Sequence, residues 1–180
     1  MMHSRTIPTA TSTLLTLMMA APTGAQSGSD SVPDGLRPPP GQALALAALG
    51  TGAQIYECQA TQEDPMRFSW ILKAPQADLT DSSGKPVGKH YAGPTWEAND
   101  GSKVIGALVA KHDAPDAAIP WLLLRAKSTS GSGIFSTIAS IQRLRTVGGV
   151  APANGCDRSQ SGKEARIPYT AEYRFYKAPP

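Results

Sequence analysis

The chain has 180 residues, 41% of them hydrophobic and 17% charged, with 17 Gly, 16 Pro, 2 Cys and a formal net charge of +3. That is enough chain to bury one core, and its modest charge and apolar content exclude a disordered acidic or basic tail protein. Basic runs are missing, and with Arg5 assigned to a leader 16 basic residues stand against 14 acidic ones, which leaves no electrostatic footprint for nucleic acid or anionic lipid.

Residues 1–25 read as an export signal. His3 and Arg5 give a positive start, Leu14-Leu15-Thr16-Leu17-Met18-Met19-Ala20-Ala21 is an apolar run, and Thr23-Gly24-Ala25 places small residues at the cleavage position. The run is far shorter than the ~20 residues a membrane-spanning helix needs, so no membrane span is expected. The expected location is periplasmic or extracellular. Residues 26–31 are Ser/Gly-rich and read as a flexible linker, and residues 32–180 as a single β domain. In an oxidising compartment the two cysteines, Cys58 and Cys156, are expected to form a disulfide. It would close a loop of 98 residues, with a chain-entropy stabilisation of about 4.7 kcal/mol.

Beyond Pro38-Pro39-Pro40-Gly41 the chain is a series of short apolar runs separated by Gly, Pro, Asn and Asp. The expected strands are 43–49, 53–59, 68–73, 87–91, 103–111, 121–127, 138–147 and 166–176. In the last, Ile167, Tyr169, Ala171, Tyr173 and Phe175 share one face. Trp121-Leu122-Leu123-Leu124 is apolar on both faces, as a strand covered twice would be. Asp81-Ser82-Ser83-Gly84 and Asn99-Asp100-Gly101 supply turn residues for hairpins. The segment 134–144 has helical spacing at Ile134, Ile138 and Ile141, but its β-branched content favours a strand. Eight short strands without a long helix predict an all-β, single-domain antiparallel sandwich or barrel with short hairpins.

The densest run of chemically capable side chains lies between Trp70 and Gly106. Tyr91 and Trp96 could stack on a sugar-like ligand while Glu97 and Asp100 accept from its hydroxyl groups, with His90 beside them in the candidate set. The same aromatics could equally be core residues, and Asn99-Asp100-Gly101 only a turn. Glu97 and Asp100 form an acid pair without a diagnostic spacing. His90, His112, Glu97, Asp113 and Asp116 lack metal-binding spacing, so no metal is expected. No Gly-x-Ser-x-Gly elbow, Gly-x-Gly-x-x-Gly turn or Walker loop occurs, so no cofactor is expected. Arg143 and Arg145 flank Leu144 and read as a solvated strand face, with an anion contact as the alternative.

The phrases Trp70-Ile71-Leu72-Lys73-Ala74-Pro75, Val87-Gly88-Lys89-His90-Tyr91-Ala92-Gly93-Pro94-Thr95-Trp96-Glu97, Ile141-Gln142-Arg143 and Thr146-Val147-Gly148-Gly149 resemble a family of small exported bacterial and fungal proteins. That family is catalogued only as a domain of unknown function, and the resemblance runs from Val32 to Tyr176. It implies an exported single domain and supplies no activity and no catalytic residues. Some relatives carry a malate-dehydrogenase label. This chain has no dinucleotide fingerprint, and about 155 residues after the leader leave little room for nucleotide and substrate domains together. Three functions stay open. The first is a non-catalytic binding module for a small polar or carbohydrate-like ligand at His90, Tyr91, Trp96, Glu97 and Asp100. The second is an extracytoplasmic hydrolase using His90 with Glu97 or Asp100, and the third a structural envelope or matrix protein.

Overall fold

Alternating burial along extended runs gives the chain its strands, and successive turns rich in Gly and Asp reverse it each time. The structure is a computed structural model and describes residues 1–2 and 31–179. The expected leader and linker therefore lie outside the described residues, apart from Met1, Met2 and Ser31. Val32–Pro180 form one compact unit. Its strands are β1 (Ala43–Ala60), β2 (Phe68–Thr80), β3 (Pro86–Tyr91), β4 (Thr95–Ala98), β5 (Lys103–His112), β6 (Trp121–Ser130), β7 (Ile138–Gly148) and β8 (Glu164–Lys177). Each pairs antiparallel with the next, and β1 pairs with β8, so the sheet closes as an eight-stranded up-and-down barrel. Among the described residues no helix is long and apolar enough to cross a membrane.

Three expectations about the strands need correction. The separate strands at 43–49 and 53–59 are one strand, β1, which runs straight through Gly50-Thr51-Gly52. These glycines are packing residues and not breaks. A Cβ on Gly50 would lie 2.5 Å from Tyr173 Cε2, and one on Gly52 only 2.0 Å from the Gln76 carbonyl oxygen. The expected strand 68–73 continues to Thr80 through Pro75, which lies beyond the last rung between β2 and β3, Ala77 opposite His90. Proline is tolerated there because β2 has a partner on one side only. The short β4 was not foreseen as a strand at all, since four residues carry too little periodicity to be recognised.

Inside the barrel, one line of facing residues runs Tyr169, Gly52, Ala77, His90, Trp96, Val104. The small residues on β1 and β2 leave room for the rings of β3, β4 and β8. The end of the lumen nearest the 99–102 and 131–137 turns is apolar, and Phe135 plugs it with its ring 4.6 Å from that of Phe175. The opposite end is polar and is covered by the 113–120 and 149–163 segments. Tyr56 Oη donates to the Gly149 carbonyl at 2.6 Å, and Ile119 N to that of Gly148 at 3.0 Å. The expected disulfide is present there, Cys58 to Cys156, with Cα atoms 5.4 Å apart.

A second, smaller core lies on the outer face of β6 and β7. Trp121, Leu123 and Leu144 pack there under Leu36 and Val32 of the segment that precedes β1. Gln142 Nε2 ties that segment down by donating to the Leu36 carbonyl at 2.6 Å. Leu124 instead joins the lumenal core. This explains the doubly apolar Trp121–Leu124 run: one cover is the lumen and the other is the N-terminal segment.

Candidate functional site

The β3–β4 hairpin holds four of the five residues singled out in the sequence. Its register places His90 opposite Trp96 and Lys89 opposite Glu97, and the pleat sends these two pairs to opposite faces. His90 and Trp96 point into the lumen, where they are 2% and 1% exposed, and their rings stack at 4.3 Å with an 8° interplanar angle. Tyr173 meets both edge-on, at 5.2 Å and 5.6 Å. His90 Nδ1 lies 2.9 Å from the Thr95 carbonyl oxygen. A carbonyl only accepts, so Nδ1 carries the proton and Nε2 is bare in the neutral ring. Burial drives the pKa of His90 down to about 4; the Thr95 bond opposes this and the nearby Arg143 charge reinforces it.

Tyr91 and Glu97 lie on the outside of the barrel. Tyr91 Oη donates to Glu97 Oε2 at 2.7 Å, and Lys103 Nζ approaches the same oxygen at 3.2 Å. The Tyr91 bond, then the Lys103 bond, lower the Glu97 pKa, and the same Tyr91–Glu97 bond raises that of Tyr91. Asp100 stands in the β4–β5 turn. Its Oδ1 accepts from Ser102 N at 2.9 Å and from Ser102 Oγ at 2.5 Å, and its Oδ2 from Ile134 N at 2.9 Å. Ser102 Oγ in turn accepts from Phe135 N at 3.0 Å. Asp100 thus clamps the loop that carries the Phe135 plug, and these bonds, that of Ser102 foremost, lower its pKa. The five residues therefore occupy three places: a lumenal pair, an outer pair, and a turn.

Sequence reasoning put one inward-facing arginine, Arg143, on a solvated face, with an anion contact as the alternative. It sits opposite Tyr173 in the β7–β8 register and shares that residue's inward face. Its Nε and Nη2 donate to the Pro120 carbonyl at 3.1 Å and 2.9 Å. Burial pulls its pKa down, and Tyr173, Tyr169 and Tyr56 are the groups that oppose this. Burial likewise raises the pKa of all three phenols. Among the described side chains no carboxylate forms an ion pair with Arg143. A regular alternation through 143–147 would not have revealed this placement, because β7 slips register between Leu144 and Val147, with Arg145 at φ 47°.

Besides Trp121 Nε1 in the outer core and Gln42 Oε1, two buried donors of this interior are without a partner, Trp96 Nε1 and Gln54 Nε2, each on a side chain 1% exposed. Most buried polar atoms in proteins are paired, so these two call for an explanation. No group of three metal-ligating side chains is assembled among the described residues. His90 is lumenal, and His112 is exposed at the end of β5.

A closed, disulfide-bridged meander barrel with a partly polar lumen defines the architectural class. Residues 39–177 match the family described as "Protein of unknown function (DUF3455)", and the chain belongs to that family. No curated protein and no solved structure matches it.

Proposed function

We propose that this chain is an exported, non-catalytic binding module that takes a small polar ligand into the interior of its barrel. The observation that carries this reading is the pair of buried, unpartnered donors, Trp96 Nε1 and Gln54 Nε2. A buried donor left without an acceptor is destabilising by about 1–3 kcal/mol, so keeping two of them in one lumen favours a purpose that a ligand would serve. Eight-stranded barrels have interiors that suit either packed side chains or one small ligand. The leader pattern and the disulfide favour an oxidising, extracytoplasmic setting.

Hydrolysis by His90 with Glu97 or Asp100 has less support. The pleat directs His90 and Glu97 to opposite faces, and both Asp100 oxygens accept bonds from the turn and loop. Nuclear magnetic resonance of labelled protein tests the binding reading. A panel of sugars, polyols, amino acids and small carboxylates is titrated while the Trp96 indole N–H and the Gln54 carboxamide are followed. Both signals are expected to move together and saturate with at least one compound. If neither moves with any of them, the reading is wrong.

A further inference from the structure

We infer that the ligand of the lumen is a small carboxylate, with Arg143 as its counter-charge. This rests on the binding reading above and adds to it the chemical class and the residue that selects it. Three observations converge. First, Arg143 is a half-buried cation whose neighbours are phenols and a carbonyl oxygen, with no carboxylate paired to it among the described side chains. A cation partly withdrawn from water without a counter-ion is disfavoured, and a bound anion would reduce that penalty.

Second, the interior is richer in donors than in acceptors. Trp96 Nε1 and Gln54 Nε2 are unpartnered. Tyr169 Oη and Tyr173 Oη share one bond at 3.1 Å, which uses one of their two protons. Against these stand the bare Nε2 of His90, the Gln54 carboxamide oxygen and the phenol oxygens, of which the last also donate. A carboxylate accepts at both oxygens and donates nothing, so it complements this set; a polyol brings a donor with every acceptor. Third, access and charge agree. Arg143 is half-buried, whereas Tyr169 and Tyr173 are buried, so the cation is the less enclosed member of the set. One lumenal cation with a neutral His90 matches a single negative charge better than a phosphate dianion.

The test compares isosteric pairs by calorimetry and by the Trp96 indole signal at pH 7: acetate against acetamide, lactate against lactamide, and glucuronate against glucose, with inorganic phosphate alongside. At least one carboxylate is expected to bind about tenfold or more tightly than its neutral isostere, the lower bound for a charge-assisted hydrogen bond. Arg143→Gln is expected to abolish that preference. If Arg143→Gln does not fold, Tyr173→Phe, which removes one donor hydroxyl and no charge, is expected to weaken the carboxylate by a larger factor than acetamide, and an equal loss for both would overturn the inference. Equal binding of the neutral isosteres would overturn the inference and leave the binding reading standing. Tighter binding of phosphate than of every carboxylate would also overturn it. Silence from all probes would count against both.

Discussion

His90 makes stability depend on pH in a window that few other groups share. Its neutral ring is buried, stacked on Trp96 and bonded through Nδ1 to Thr95, with its pKa lowered from 6.5 to about 4. The unfolded chain therefore takes up a proton below pH 6.5 that the folded protein refuses until about pH 4. Stability is full above pH 6.5 and falls as pH drops through this interval. At 1.36 kcal/mol per pH unit the total loss is about 3 kcal/mol. Carboxylates with lowered pKa values, such as Glu97 and Asp100, lose their contribution only at lower pH, below the ordinary carboxylate range. The interval from about 4.5 to 6.5 thus belongs chiefly to His90. Denaturant unfolding at half-unit steps from pH 7.5 to 4 is expected to show this slope. His90→Phe keeps a stacking ring but has nothing to protonate, so it should be less stable at pH 7 and nearly flat across the same interval. Parallel curves for the two proteins would refute the argument.

Cys58 and Cys156 close 98 residues, and the bridge lies at the polar end beside β1. Replacing both by Ala should lower stability by up to about 4.7 kcal/mol and Tm by on the order of 10 °C in a calorimetric scan. Glycines in the two settings should respond differently to Ala. Gly52→Ala forces a Cβ against the Gln76 and Ala77 backbone and should cost about 3 kcal/mol or prevent folding. Gly84→Ala, in open space at φ 81°, should cost about 1 kcal/mol, and denaturant titration separates the two. Asp100→Ala removes the acceptor of the Ile134 amide, so hydrogen exchange at Ile134 and Phe135 should accelerate while β1 and β8 stay protected.

Much of this architecture could be read from local pattern. The alternation in β8 identifies Tyr169, Ala171, Tyr173 and Phe175 as one buried face, and with two cysteines in the domain only one pairing exists. Closure could not be read in this way. Whether eight strands form a sandwich or a barrel depends on Ala43–Glu57 meeting Glu164–Lys177, and no local signal encodes a contact across so much chain. The candidate site divided for a local reason. His90 and Tyr91 are adjacent in sequence, so as strand neighbours they face opposite ways, and proximity along the chain was a poor guide to proximity in space. Arg143 was hidden by the register slip that follows it, together with the expectation that arginine faces water.

The segment beneath which Trp121, Leu123 and Leu144 are buried has a practical consequence. The family match begins at residue 39, whereas Val32 and Leu36, which seal the outer patch, lie before that boundary. A chain shortened to the family limits would keep every strand yet expose an indole and two leucine side chains on its flank. It would also free the Gln142 carboxamide from its acceptor. Such a fragment should fold as a barrel and self-associate through the bared surface. The barrel is thus finished by residues that belong to none of its strands.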